Sequence, residues 1–523
     1  MANKNLFRSI AGKLVPKATS VNEAGGRAYA LTPKQALAQF ASTGCLSQTF
    51  YASADDQLAK VLELCEGVEP AFIAQTALWA RRRGYMKDMP AVLCAVLATK
   101  DTALLEQVFP LVIDNGRMLR NFVQVVRSGV VGRKSLGTAP KRMIRKWLEG
   151  REDNALFRDS IGNAPSLADV IKMVHPKPAA AGREALYGYL IGRKHEAEKL
   201  PSIVRDYEAF KGGVTKDVPD VPFQMLTSLT LDGKAWVSIA RNASWQTTRM
   251  NLNTFARHGV FASAELTKQI TRRLADADAV RKAKVFPYQL MTAYLAADDN
   301  VPGVVRGALH DAMEVATENV PAIEGKVYIC PDVSGSMRSP LTGVRKGATS
   351  VVRCVDVAAL VAASIVRKNP TAEVLPFETK VVDVRIEPRD SVMTNAQKLA
   401  AVGGGGTTCS APLAKLNGRK AVGDLVVFVS DNESWADPQN GRGTAMMEEW
   451  SKFKDRNPGA RLVCIDVQPY ATTQAQSRED VLNIGGFSDA VFDVVAQFAA
   501  GKLDADLFVS EIEKGPNAVA DYI

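Results

Sequence analysis

No apolar run in the sequence approaches the roughly 18–20 residues that a membrane-spanning helix needs. The longest candidates, Ala91–Ala98 and Val355–Val366, are much shorter, so no membrane partner is expected. The seven cysteines, at positions 45, 65, 94, 330, 354, 409 and 464, include no CxxC pair. An odd, scattered set argues against a disulfide framework or a thiolate zinc site and reads as reduced thiols. Histidine is scarce, and all four residues (175, 195, 258, 310) precede Gly325, which leaves Cys/His hydrolase chemistry without support. The glycine run 403–406 is not followed by the Gly-Lys-Ser/Thr of a nucleotide phosphate loop, whose lysine reaches the β- and γ-phosphates. Nor are there two clusters of carboxylates, as a two-metal nuclease would need. The expectation is a protein that is not an enzyme. The first 22 residues carry four basic residues and no acid, but no apolar core or small-residue cleavage site, and the chain reads as untargeted and cytoplasmic.

What is present is an ordinary globular composition: 523 residues, 46% hydrophobic and 23% charged, enough for about three domain-equivalents. The formal charge is +9, and it is unevenly placed. Residues 1–325 hold 43 Lys+Arg and 32 Asp+Glu, a net of +11; the rest hold 22 and 24, a net of −2. A polyanionic partner is therefore sought in the first part. From Arg117 to Lys146 there are nine basic residues and no acid, and a second acid-free stretch runs from Gly233 to Ala264 with Lys234, Arg241, Arg249 and Arg257. An ordinary solvated helix mixes signs, so thirty residues without a carboxylate suggest a binding face.

Periodicity divides the chain at about the same place. Up to about Val320 the sequence reads as helical throughout, with apolar residues at 3–4 spacing in segments such as 33–40, 55–64, 70–83, 90–98, 104–114, 118–128, 140–148 and 166–173. Thr32-Pro33 and Asp88-Met89-Pro90 mark helix starts. Many short amphipathic helices with short turns predict stacked pairs, an α-solenoid of HEAT-like character without a strict sequence period. From Lys326 four β-rich runs, 326–330, 373–377, 424–430 and 461–467, alternate with helical stretches 354–367, 391–401, 444–455 and 490–500. That alternation predicts a doubly wound parallel sheet, which holds ligands at the carboxyl ends of its strands.

The first of these strands ends in Asp332-Val-Ser334-Gly-Ser336-Met, a DxSxS pattern. One carboxylate and two hydroxyls at i, i+2 and i+4 on a loop can turn to one point, and hard oxygens of that kind suit Mg²⁺ or Mn²⁺. Gly403–Thr408 offers a further hydroxyl, and Ser430-Asp431 follows directly on another strand. A single divalent ion, Mg²⁺ first, is expected where the three loops converge.

These residues closely resemble the metal-ion-dependent adhesion site (MIDAS) of the von Willebrand factor A domain. By that resemblance Asp332, Ser334 and Ser336 are the first loop's ligands, Thr407 (or Thr408) the second loop's, and Asp431 acts directly or through water. Domains of this kind bind a partner whose carboxylate completes the octahedron. The helical part resembles the TROVE module of the Ro autoantigen family. The matching segments are 39–44 (QFASTG), 133–137 (RKSLG) leading into 141–147, 169–178 (DVIKMVHPKP), 284–288 (KVFPY) and 483–487 (NIGGF).

The resemblance implies a ring-like array of HEAT-like helical repeats followed by an A domain, as in bacterial-type Ro ribonucleoproteins. It implies domains at 1–20 (extension), 21–324 (RNA-binding module), 325–505 (A domain) and 506–523 (tail). It further implies a monomeric protein that binds small non-coding Y-like RNA and takes single-stranded 3′ ends of misfolded or immature RNA into a basic hole, with an exoribonuclease or another protein as partner through the metal site. Lys and Arg supply the salt-sensitive affinity such ligands need. Arg133, Lys134, Lys141, Arg142, Arg145 and Lys146 are the expected phosphate contacts, the last four lying along one helix face. His175, a family RNA position, could stack on a base or bond a phosphate; the helix dipole would equally favour a histidine there. The alternative is a metal-dependent protein-binding scaffold without RNA.

Overall fold

The computed structural model describes residues 15–43, 52–84, 86–283, 285, 287–318, 320–341, 351–439, 441–486, 490–503 and 506–514. Gly44, Cys45, Lys284, Phe286, Phe487, most of the N-terminal extension and the second half of the C-terminal tail lie outside the described residues. The chain divides into two compact units, one formed mainly by residues 65–273 and the other by described residues within 1–64, 274–297 and 306–514.

The unit formed by 65–273 is helical. Its first helices are α1 (Pro70–Arg82), α2 (Asp88–Lys100), α3 (Thr102–Val112), α4 (Gly116–Ser128), α5 (Thr138–Gly150) and α6 (Leu167–Val174). α2 is apolar on every side, and Met89 to Ala98 are all buried, as expected of a helix surrounded by others. It packs on α1, α3 and α4, while α5 packs on α3 and α6 on α4 and α5. Phe109 of α3 meets Phe122 of α4 edge to face at 5.1 Å. Local chemistry sets the ends. Asn115 accepts from Met118 N–H at 3.1 Å to start α4, and Gly129 ends it in the left-handed region at φ 95°, where a side chain would be strained. Ser166 and Asp169 form a reciprocal capping box on α6. Asp88 is the first residue of α2 rather than its cap.

The second unit contains the sheet. Five parallel strands lie in the order β4 (Glu373–Val374), β3 (Val327–Pro331), β5 (Leu425–Ser430), β6 (Arg461–Asp466), β8 (Val481–Gly485). Successive residues of β3 face opposite sides, and all five are buried, so both faces are covered. One face, with Tyr328, Cys330, Val426, Phe428, Leu462 and Cys464, packs on Leu413, Leu416, Met446, Met447, Trp450 and Phe453. The helix Cys354–Lys368 packs against β3, β4 and β5. The doubly wound sheet is as expected. β8 and the helix Ala411–Gly418 were not recognisable as separate elements.

The expectation of helix throughout the first 320 residues is corrected at one place. Ser20–Val21 (β1) and Arg27–Ala30 (β2) form a hairpin, and β2 pairs antiparallel with β7 (Thr472–Thr473). The Asn22-Glu-Ala-Gly-Gly26 turn supplies the reversal, with Gly25 at φ 85°, and Tyr29 enters the core beside Trp450. Strand pairing with a segment over 440 residues away overrides local propensity. Helix Pro33–Thr43 follows and meets β8, where a Cβ on Gly485 would lie 3.0 Å from Gln39 Cβ, so the described residues 39–43 and 483–486 of two resembling segments come together.

Trp450 is fully buried, stacked on Phe453 at 5.7 Å and bonded through its indole N–H to Asp480 at 2.9 Å. Trp450→Ala is expected to destabilise the sheet-containing unit by about 3–5 kcal/mol, read as an earlier denaturant midpoint for that unit's unfolding.

Candidate metal centre and candidate nucleic-acid interface

Parallel register sets the metal-centre geometry. Pro331 of β3 is aligned with Val429 of β5, and Ser430 with Asp466 of β6. Asp332 therefore leaves β3 level with Ser430, and Asp431 follows one residue beyond it at the same carboxyl edge. Asp332 N–H donates to the Val429 carbonyl at 2.9 Å. The glycine loop is laced to the first loop: Gly335 N–H donates to Gly405 O and Gly404 N–H to Val333 O, both at 2.8 Å. A Cβ on Gly403, which sits at φ 79°, would lie 2.3 Å from Val333 O, so this approach requires glycine. The third loop closes on the second, with Ala436 N–H and Trp435 N–H donating to the Thr407 carbonyl at 3.0 and 3.3 Å.

All five expected ligands are buried: Asp332, Ser334, Ser336, Thr407 and Asp431. Thr408 is only half-buried and holds the Glu378 carbonyl through its N–H at 2.9 Å. Ser334 Oγ and Ser336 Oγ are 3.3 Å apart. Asp332 accepts from Ser334 N–H at 2.8 Å and from Ser430 Oγ–H at 2.6 Å. Glu433 N–H donates to Asp431 at 3.2 Å.

Burial pushes the Asp332 carboxyl up to about 7, repulsion from Asp431 adds to it, and the Ser334 and Ser430 bonds partly offset both. Burial also raises Asp431, against bonds from Ser336 and Glu433. Two further buried carboxylates, missed in the sequence, join them. Glu433 is pushed up to about 8 by burial and then by Asp431, and Asp466 is raised by burial and by Asp431 and Glu433. Asp466 Oδ1 has no hydrogen-bond partner among the described residues. Asp466 could have been found as the polar end of a β-rich run, since strand ends of such a sheet line its site. Buried carboxylates repelling one another beside three hydroxyls form a hard-oxygen donor set, which fits a small divalent cation.

The expected RNA contacts lie in the helical unit. On α5, Pro140, Met143, Ile144 and Leu148 face inward. Arg142, Arg145 and Lys146 are exposed and Lys141 half-exposed on the opposite face. Their surroundings differ. Arg142 pairs with Glu106 of α3 at 2.8 Å, and Arg145 Nε–H donates to the Val174 carbonyl at the end of α6. Arg133 is held by three carbonyls, of Ala98, Ser135 and Leu136, at 2.7–2.9 Å, so its guanidinium ties the turn to α2. Lys134, Lys141 and Lys146 make no ion pair among the described residues. His175 caps α6 in the left-handed conformation, φ 50°, with an exposed side chain. The acid-free stretch is not acid-free in space: Asp88 pairs with Arg117 at 3.2 Å, and Arg120 donates to the Asp159 carbonyl at 2.9 Å.

With this geometry in hand, the chain can be set beside known proteins. Residues 326–499 match the family model described as the Ro60 vWA domain. The whole chain is similar to RNA-binding protein RO60 of Deinococcus radiodurans, 24% identical over 543 residues, covering 96% of this chain and all of that one. RNA-binding protein RO60 of Caenorhabditis elegans is 23% identical over 249 residues, 45% of this chain and 37% of the relative. The crystal structure of the Deinococcus radiodurans RO (RSR) protein aligns with a TM-score of 0.61 at 21% identity, over 90% of this chain and all of that chain. That likeness shows the fold: a helix-rich region followed by a domain with a parallel sheet.

The raised carboxyls give the metal-free protein a defined pH response. A carboxyl whose folded pKa lies above its unfolded value of about 4 contributes stability that is present below that value and lost as pH rises through the folded pKa. For Asp332 the loss falls between about pH 4 and about 7. Melting temperatures in chelator should therefore fall across that window in wild type and fall less in Asp332→Asn; parallel pH profiles would contradict the assignment.

Proposed function

We propose that this protein is a non-catalytic, RNA-binding subunit of a cytoplasmic ribonucleoprotein, and that its Ro60 vWA domain holds one divalent cation, Mg²⁺ first. The RNA part rests on one observation above the others: the outward face of α5 carries Lys141 and Lys146 without ion-pair partners among the described residues, with Lys134 on the preceding turn. Amines held on a folded scaffold and not neutralised by neighbours give phosphate affinity that falls steeply with salt. The names of both relatives, RNA-binding protein RO60, support the same reading. The ligands proposed are small non-coding Y-like RNA and the single-stranded 3′ ends of misfolded or immature RNA, in RNA quality control or processing. His175, beside the Val174 carbonyl that Arg145 holds, is proposed to stack on a base or to bond a phosphate.

Asp332, Ser334, Ser336, Thr407 and Asp431 would hold the cation. When bound it supplies charge neutralisation and an open coordination position for a partner's oxygen, and an exoribonuclease or another protein is the proposed partner there. The residues themselves do the rest. The three laced loops fix the oxygens, and burial keeps bulk water from competing for them.

Two measurements test these proposals. Lys134→Glu, Lys141→Glu and Lys146→Glu together should weaken binding of a single-stranded RNA at least tenfold. They should also lower the slope of log affinity against log salt by about 2, at roughly 0.7 per phosphate contact. Binding indifferent to salt and to these charges would leave the protein-scaffold reading instead. Asp332→Ala should abolish one Mg²⁺ isotherm in calorimetry, and an unchanged isotherm would refute the site.

A further inference from the structure

The third loop of the metal centre is in contact with the start of the chain. Asn22 opens the turn of the β1–β2 hairpin and is buried. Its N–H donates to Gly26 O at 2.8 Å, and its Oδ1 accepts from Gly26 N–H at 2.6 Å, which closes the turn on itself. Its carbonyl accepts from Gly25 N–H at 3.0 Å, and its side-chain Nδ2 donates to the Ser434 carbonyl at 2.9 Å across 412 residues of sequence. Ala24 N–H donates to Glu433 Oε2 at 3.0 Å. A Cβ on Gly26 would lie 1.8 Å from the Ser434 carbonyl oxygen, so the turn lies flat on the loop and only glycine permits it. The hairpin cannot drift away, because β2 pairs with β7 and Tyr29 is fixed in the core.

The Ser434 carbonyl and the Trp435 N–H are the two ends of one peptide group. A peptide group is planar, so fixing one end orients the other. Asn22 holds the carbonyl end, and the N–H end donates to the Thr407 carbonyl at 3.3 Å. Resting on the proposal that this centre binds a divalent cation, we infer that Asn22 is a positioning residue for the metal centre. It orients the Ser434–Trp435 peptide, which holds Thr407, and Gly26 provides the clearance that lets it do so. The N-terminal turn is then part of the frame of a site whose ligands all lie more than 300 residues further on. Partners that orient metal ligands in this way typically change affinity by about 10–100-fold when removed.

Full-length wild type, Asn22→Ala and an exposed control on the same hairpin, Val21→Ala, would be titrated with Mg²⁺ by calorimetry. Amide exchange at Trp435 would be followed by NMR in the metal-free proteins. Asn22→Ala should weaken Mg²⁺ at least roughly tenfold and remove protection of the Trp435 amide, whereas Val21→Ala should change neither. Gly26→Ala, which keeps Asn22 but drives a methyl into the Ser434 carbonyl, is the second variant should Asn22→Ala fold poorly, and it should act in the same direction. Faster Trp435 exchange with undiminished Mg²⁺ affinity would overturn the inference, as would weakened binding with the amide still protected. If wild type shows no Mg²⁺ isotherm that Asp332→Ala removes, the metal site itself falls and the inference with it. Mg²⁺ binding by wild type and Asn22→Ala alike sinks the inference alone.

Discussion

Mutual repulsion between carboxylates buried at the ends of adjacent parallel strands is the constraint on which the sheet-containing unit is organised. Asp332 leaves β3 level with Ser430, since β3 and β5 pair residue for residue up to Pro331 and Val429, and Asp431 follows one residue further on at the same edge. Placing them there is costly in a low-dielectric interior. The surrounding structure is arranged to offset that cost with oriented donors: Ser334 N–H, Ser430 Oγ–H and Glu433 N–H each point at a carboxylate. The lacing of the three loops follows from the same need, because donors that must aim at charge cannot be left on slack backbone. The glycine at 403 belongs to this arrangement, its backbone approaching the first loop more closely than any side chain would allow.

The helical unit shows a different use of charge. Along the sequence, 117–146 is basic without relief; in space the neighbouring helices return carboxylates to part of it. Asp88 and Glu106 each neutralise one arginine, and helix-end carbonyls engage Arg133 and Arg145. The arginines thus act mainly as ties between helices, suited to it by a planar fork of donors. The lysines at 134, 141 and 146 are left facing outward. Linear charge density located the right surface but could not separate these two roles, since the partners come from other turns of the stack.

Much of the architecture was legible because its signals are local. The alternation of β-rich and helical segments after Lys326 defined a parallel sheet, and DxSxS at the end of its first strand marked the centre. What escaped were features made by distant pairing. β2 is four residues long and gains its partner from Thr472–Thr473, so nothing within a sequence window announces it. Glu433 and Asp466 escaped for a related reason: each looks like an ordinary polar loop or strand-end residue until burial at the shared edge makes it part of the cluster.

The hairpin also has a consequence in time. Ribosomes deliver the chain at about 5–20 residues per second, so Asn22 emerges roughly 20–80 s before Ser434. Throughout that interval β2 has an open edge and Tyr29 has no core to enter. Closing so long a loop costs only slowly more with length, so the delay is kinetic rather than thermodynamic. The nascent hairpin keeps one strand edge open for a segment more than 400 residues further on, and the carboxylate centre gains its full frame only once that segment has emerged.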